Sequence, residues 1–365
     1  MSDAGDTCEH IWPEALVGAA EVRRWIAAVL PGQPEIVGPI QVMQAKECGV
    51  TASFAAVEVA ASGQTPRGRE VVFKAGALPL FAGAPRIAEM LSRCCTGLVP
   101  HVIAWEEHGR QTWTLFAPFE GSPVAALHAL EPLLAMGRTL ARIQTAVAAL
   151  PSGELDGLPR SPVEAIPRWL DELIEDVRER QLGYWQGEGR EMAEQLALPG
   201  DVLERLAAVR PRVAVWSEEL LAGGWPESID HVDLHWENAV VKPDGGILIF
   251  DWEEAALSFP FFSLDRLLND ARELDLGAAA AWGGHAGGPL YTDSERALRE
   301  TYLDALPWGT RAGRKRAFEL AMRLAPIKTA HEGLVFAKAL GWREGTPFVT
   351  AWAMTRALPR WETQI

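Results

Sequence analysis

Long apolar runs are missing from this 365-residue sequence. No stretch approaches the ~20 consecutive apolar residues that a membrane-spanning helix requires. The alanine-rich segment before Trp282 is short and flanked by glycines, so neither a membrane span nor a membrane partner is expected. Cysteine is scarce. Cys8, Cys48, Cys94 and Cys95 show no metal-binding spacing, and adjacent cysteines rarely bridge each other. Basic residues are outnumbered, 34 Lys and Arg against 49 Asp and Glu, for a net charge of -15. A general nucleic-acid binder needs clustered cations to neutralise phosphates, so no nucleic-acid partner is expected. Residues 1–10 are polar and acidic, without the basic start and apolar run of an export signal. Reduced thiols and a cytoplasmic location follow as expectations. Internal repeats and low-complexity tracts are also lacking.

What is present, 48% hydrophobic and 23% charged residues, suits a globular chain with two modest cores. Residues 13–30 space Leu16, Val17, Ala20, Ile26 and Leu30 as one face of a helix, stopped by Pro31-Gly32. Runs rich in β-branched residues follow at 36–43, 53–59 and 71–74, with a turn cluster at 62–66. A helix at 84–95 and strands at 99–105 and 112–117 complete a small antiparallel sheet. Composition changes after Pro118, which puts the expected boundary between residues 1–117 and 118–365. Helical patterns then dominate, at 131–150, 162–181, 201–221, 262–273, 294–303, 314–340 and on to Trp361. One interruption stands out. The runs 239–241 and 247–250 flank Lys242-Pro243-Asp244-Gly245-Gly246, a hairpin signal. The expected class is α+β.

Polar residues of an unusual kind bracket that hairpin. His231-Val232-Asp233-Leu234-His235-Trp236-Glu237-Asn238 precedes it and Asp251-Trp252-Glu253 follows it. Phosphoryl transfer needs a carboxylate to orient or deprotonate the attacking hydroxyl, and oxygen ligands to hold magnesium on nucleotide phosphates. Asp233, Asn238 and Asp251 have the right chemistry and order for those parts.

The pattern His-x-Asp-Leu-His-x-x-Asn, then an apolar strand ending in Asp-Trp-Glu, resembles the aminoglycoside-phosphotransferase and choline-kinase-like family of small-molecule kinases. The resemblance implies a protein-kinase-like two-lobe fold, with a small antiparallel-sheet lobe over a larger, mainly helical one. It implies Asp233 as catalytic base, His231 as a brace for its loop, and Asn238 with Asp251 as magnesium ligands. Lys74, ending the run Val71-Val72-Phe73, resembles the strand lysine that meets nucleotide phosphates, and Glu89 on the next helix would be its ion-pair partner. The phosphate-covering loop falls at 47–53, where Gly49 is the one glycine and the hydroxyls of Thr51 or Ser53 would assist. Residues 116–119, including Ala117 and Phe119, take the place of the inter-lobe linker that meets the purine. Val232 replaces the protein-kinase arginine that reads activation-loop phosphorylation, and no lysine follows the Asp233-Leu234 pair. The first departure predicts no such phosphorylation switch, and the second points to small-molecule rather than protein acceptors. The implied reaction moves the γ-phosphate of ATP or GTP, with magnesium, onto a small-molecule hydroxyl. Acceptor identity, the choice between ATP and GTP, and oligomeric state stay open.

Two rival readings remain. His231, Asp233 and His235 alternate, and as one face of a strand they could bind a transition metal in a hydrolase. A non-catalytic nucleotide-binding module is the other, although none of its expected losses, of Asp233 or Asp251, has occurred. Asp265 is expected to be structural. Glu253, Glu254, Asp270, Glu273 and Asp275 either attract a cationic acceptor or lie on solvated helix faces. Of the 15 tryptophans, Trp236 and Trp252 are the candidate ligand contacts, because they flank the site.

Overall fold

A computed structural model describes residues 20–32, 35–46, 49–57, 68–77, 81–109, 111–196, 198–278, 291–340 and 345–362. The turn cluster at 62–66, Glu47 and Cys48 of the expected loop, Cys8, and the start of the first helix lie outside them. The chain divides into two compact units. The first comprises residues 1–121 together with 250–254, and the second comprises 122–249 and 255–365. The boundary expected after residue 117 therefore falls four residues later, and a short piece from the middle of the chain returns to the first unit.

The first unit begins with α1 (Ala20–Val29) and β1 (Glu35–Lys46), β2 (Gly49–Val57) and β3 (Gly68–Ala77). Helix α2 (Ala84–Cys94) and strands β4 (Val102–His108) and β5 (Gln111–Phe116) follow. The five strands form one antiparallel sheet in the order β1-β2-β3-β5-β4. Side chains alternate across a strand, and β3 uses that alternation fully. Val71, Phe73 and Ala75 are buried with Trp25, Ile26 and Leu30 beneath and Trp113 and Leu115 of β5 beside them. The rings of Trp25, Phe73 and Trp113 meet edge to face at 5.6–6.0 Å, a geometry that adds to the value of their buried area. Val72, Lys74 and Gly76 consequently face the other way. Cys94 and Cys95, at the end of α2, keep their sulfurs 3.4 Å apart without a disulfide.

The second unit opens with β6 (Ser122–Pro123), the single turn α3 (Val124–Leu127) and the long helix α4 (Leu130–Ala148). Helix α5 (Ile166–Asp176) runs into a π-helical turn at Val177–Gln181, then α6 (Leu182–Gln186), α7 (Arg190–Gln195) and α8 (Val202–Ala222). Strand β7 (Ser228–Asp230) pairs with β10 (Ala256–Ser258), while β8 (Ala239–Val241) and β9 (Ile247–Ile249) form the expected hairpin beside β6. The hairpin turn closes through Lys242 N–H to Gly246 O (2.8 Å) and needs the positive φ of Gly245 (80°). Helices α9 (Leu264–Leu276), α10 (Asp293–Ala305), α11 (Arg311–Leu340) and α12 (Gly345–Glu362) complete the chain. Among the described residues no helix is long and apolar enough to cross a membrane.

Buried polar groups knit this unit together. Gln144 of α4, with no exposure, donates from Nε2 to Ile229 O (3.0 Å) and Pro260 O (2.7 Å), and its Oε1 accepts from Tyr302 OH (2.6 Å). One amide thus ties α4 to β7, to the approach to α9, and to α10. Helix α11, a stretch whose sequence left breaks possible, runs 30 residues through Pro326. Proline has no N–H for the carbonyl four residues back. That carbonyl, Met322 O, instead accepts from Arg360 Nη1 (3.1 Å). Arg360 and Arg356 of α12 also hold Asp265 of α9, at 2.8–3.0 Å, all three buried. Burial alone would raise the Asp265 carboxyl, but the Arg356 and Arg360 charges outweigh it and hold it below the ordinary range.

Removing one partner of a buried ion pair typically costs about 3–5 kcal/mol, so Asp265→Ala should destabilise the second unit by that order, read by urea denaturation at pH 7. An acid whose folded pKa is lowered contributes stability above its unfolded value, near 3.9, and loses it as pH falls toward the folded value. The gap between the unmutated protein and Asp265→Ala should therefore narrow below about pH 4.

Candidate active site

Candidate residues lie in both units. In the first, the strand face that β3 turns away from α1 lines a cavity of about 470 Å³. Val72, Lys74 and Gly76 share it with Thr112, Thr114 and Phe116 of β5, Ala84, Ala88 and Leu91 of α2, and Phe119, Phe250, Asp251, Trp252 and Glu253. Its walls are largely apolar, and its charges other than Glu70 cluster in one place. The Lys74 ammonium lies 2.6 Å from Asp251 Oδ1 and 2.6 Å from Glu253 Oε1. Burial alone would drive Lys74 down, but the charges of Glu253 and Asp251 outweigh it and raise its pKa, so it stays protonated. Asp251 has φ of 67°, a backbone state that a non-glycine residue keeps only when its surroundings insist on it.

Sequence expectation and structure differ here in two respects. Glu89 does not meet Lys74; its Oε2 accepts the Trp105 indole N–H at 3.1 Å. Asp251 and Glu253 of the 250–254 segment take the ammonium instead, and Glu253 is the partner the sequence did not point to. The expected phosphate-covering loop is also shorter. Gly49, Thr51 and Ser53 all belong to β2, with Thr51 in register with Lys74 and Ser53 with Val72, because the β1–β2 pairing continues to Lys46 and Gly49. Only residues 47 and 48 separate the strands. In the linker, Phe119 lines the cavity and packs against Phe250 with ring centroids 5.4 Å apart, while the Ala117 N–H is taken by His101 O (2.9 Å). Trp252 lines the cavity.

The second unit holds the loop between β7 and β8. Asp233 N–H donates to His231 O (2.8 Å) across Val232, whose φ is 67°; a γ-turn of this hand is rare and strained. The strain is supported from below. Asp230 Oδ1 accepts from the Val232 N–H (3.1 Å) and from Ser263 Oγ (2.7 Å), and Lys328 Nζ of α11 lies 2.7 Å from Asp230 Oδ2. His231 is fully buried and donates its backbone N–H to Ser263 Oγ (3.0 Å). It sits inside the loop's support, as a brace would.

Asp233 itself is partly open. Its Oδ1 accepts from Arg266 Nη1 of α9, and its Oδ2 lies 3.6 Å from His235 Nε2. Burial works against its ionisation, but the contact with His235 and the Arg266 guanidinium outweigh burial and lower its pKa, so the carboxylate is ionised at neutral pH. His235 moves the opposite way: burial lowers it, and Asp233 more than compensates. Asn238 donates from Nδ2 to Asp233 O (2.8 Å) and meets His235 Nε2 at 3.1 Å. Both contacts use the amide nitrogen, which leaves Oδ1 as an oxygen ligand for a hard cation. Asp270, for which the sequence left open a cationic acceptor or a solvated helix face, is buried and accepts the Trp236 backbone N–H (2.7 Å). Burial pushes it up to about 7 despite that bond. Trp236 packs against His128, with ring centroids 5.3 Å apart.

Two residues of this site were invisible as functional candidates. Arg266 carries no motif, and its approach to Asp233 spans 33 positions of sequence. Lys328 is farther still. The metal-hydrolase reading gains nothing from the geometry. His231 is sealed in the loop's support, and among the described residues no three His, Cys, Asp or Glu side chains converge in a way that could hold a metal ion.

Comparison with known proteins agrees with this architecture. The choline kinase of Cryptosporidium parvum superposes with a TM-score of 0.53 at 13% identity, over 95% of this chain and 94% of that one. An ethanolamine kinase of Plasmodium vivax gives 0.54 at 10% identity, over 88% and 81%. Spectinomycin phosphotransferase, solved with ADP and spectinomycin, gives 0.54 at 11%, over 96% and 99%. At these identities the likeness is one of fold, and that fold is protein-kinase-like. No curated protein sequence matches. The model of the phosphotransferase enzyme family APH matches residues 52–300, more than half of the chain and the whole span from β2 through the hairpin to α10, and the chain accordingly belongs to that phosphotransferase family.

Proposed function

We propose that this phosphotransferase is a small-molecule kinase that moves the γ-phosphoryl group of ATP, or of GTP in its place, onto an acceptor hydroxyl with magnesium. The observation that carries the reading is the cavity of the first unit. Apolar walls of a size to take a purine end at a buried ammonium flanked by Asp251 and Glu253, and a nucleotide has that same division between base and phosphates. Lys74 is the group that would meet the phosphates. The solved spectinomycin phosphotransferase with ADP supports the nucleotide, and choline and ethanolamine kinases of the same fold support a small acceptor.

The donor set suits magnesium. A carboxylate and an amide carbonyl are hard oxygen ligands, the kind this ion accepts beside phosphate oxygens. Asp251 and Asn238 would hold it, and its charge would offset that of the transferring group. Asp251 meanwhile lies 2.6 Å from the Lys74 ammonium. Asp233 is the group that receives the acceptor hydroxyl: ionised and fixed by a strained, fully supported turn, it aligns the oxygen for in-line attack and takes its proton. His231 keeps that turn in place. The rest of the rate enhancement comes from position and charge, since a loose phosphoryl transition state asks little covalent chemistry of a protein. ATP and magnesium are supplied in the cytoplasm, where we place the protein.

Thermal unfolding with ATP or GTP, with and without magnesium, tests the reading. Ligand at ~100 times its dissociation constant adds about 2.7 kcal/mol to stability, and the rise in midpoint should require magnesium. Asp251→Ala should lose the magnesium-dependent part. Absence of any shift with either nucleotide would refute the kinase assignment. Asp233→Ala should keep the nucleotide shift and abolish ADP release in a screen of hydroxyl acceptors; near-normal turnover in that variant would remove Asp233 from its role.

A further inference from the structure

We infer that Arg266 is a catalytic residue of this chain, the cation that binds the phosphoryl group in flight; the inference rests on the phosphotransfer reading above and deepens it. Four arginines lie on or beside α9, and they have different fates; Arg272 pairs with Glu295, both buried. Arg356 and Arg360 are sunk in the core on Asp265, with side chains 5% and 2% exposed. Arg266, the next residue after Asp265, is 33% exposed and reaches Asp233. Its backbone is anchored by its neighbour's buried ion pairs, and its guanidinium is presented at a surface. Among the described residues it makes one hydrogen bond, from Nη1 to Asp233 Oδ1. A guanidinium has five N–H donors in a planar fork that matches phosphate oxygens, so most of its capacity is uncommitted.

Geometry then fixes what those donors meet. The acceptor hydroxyl must sit within about 3 Å of the Asp233 carboxylate to give up its proton. The phosphorus must come within bonding range of that same oxygen. A guanidinium already seated on that carboxylate is therefore within a side-chain swing of the equatorial phosphoryl oxygens. In the transfer step the acceptor oxygen–phosphorus bond forms and the bond from the γ-phosphorus to the β,γ-bridging oxygen breaks. The electron pair leaves with ADP, and the hydroxyl proton passes to Asp233. Arg266 holds the negative charge on the three equatorial oxygens throughout. The loop itself has no lysine or arginine after the base: Leu234 and His235 stand there, and the His235 ring is engaged by Asn238. Helix α9 supplies by tertiary contact what the loop's own sequence omits.

The test uses the full chain and magnesium-ADP, with and without aluminium fluoride, a planar mimic of the transferring phosphoryl. Fluoride should raise the unfolding midpoint of the unmutated protein beyond the rise given by magnesium-ADP alone. Arg266→Gln should keep the magnesium-ADP rise, which also shows that the variant is folded, and lose the fluoride increment, as a roughly 10³-fold weaker fluoride complex requires. Arg266→Lys, which keeps the charge without the fork, should retain part of the increment. Asp233→Asn should retain it, because Arg266 is still present. An undiminished increment in Arg266→Gln overturns the inference. So does equal loss in Asp233→Asn, which would make Arg266 a positioning residue acting through the carboxylate. A magnesium-ADP rise without any fluoride increment in the unmutated protein overturns the inference and leaves the kinase reading standing; no magnesium-ADP rise overturns both.

Discussion

A carboxylate taken out of water must find a cation or surrender its charge, and the placing of cations against carboxylates organises both units of this protein. Lys74 serves Asp251 and Glu253, Lys328 serves Asp230, Arg266 serves Asp233, and Arg356 with Arg360 serve Asp265. Asp270 shows the alternative. It has a backbone N–H but no basic side chain hydrogen-bonded to it, and its pKa rises to about 7. The result is a set of acids with distinct characters: Asp233 and Asp265 are held below the ordinary carboxylate range, and Asp270 is raised toward neutrality.

The same pairings transmit position. Asp230 fixes the strained turn at Val232, so the direction of Asp233 depends on a lysine nearly a hundred residues away. Asp265 locks α9 to α12, and the next residue of α9 reaches Asp233. Proline placement joins in, since Pro326 frees the Met322 carbonyl that Arg360 takes up. Strain at the site is thus sustained by buried interactions elsewhere, which is how a backbone state that is costly in isolation persists.

Much of this was legible in the sequence because it depends on local pattern. Alternation in β3 set Lys74 opposite Phe73 before any partner was known, and the Lys242–Gly246 turn announced the hairpin. Asp233, Asn238 and Asp251 were marked by their spacing around that hairpin. Whether the helix at 314–340 breaks at Pro326 was left open by the sequence, since the local rule holds only when nothing else donates to the orphaned carbonyl. Glu89 was assigned to Lys74 by order along the chain, and the ammonium went to a segment about 180 residues on.

The sequence by itself determined the family, the order of elements and the candidates for the reacting groups, because these rest on residue types at short, fixed separations. Tertiary structure decided which cation each acid meets. An ion pair is a matter of a few ångströms in space and carries no signature along the chain, so Glu253 on Lys74, Lys328 beneath the loop and Arg266 on Asp233 became visible only when the folded chain set them side by side.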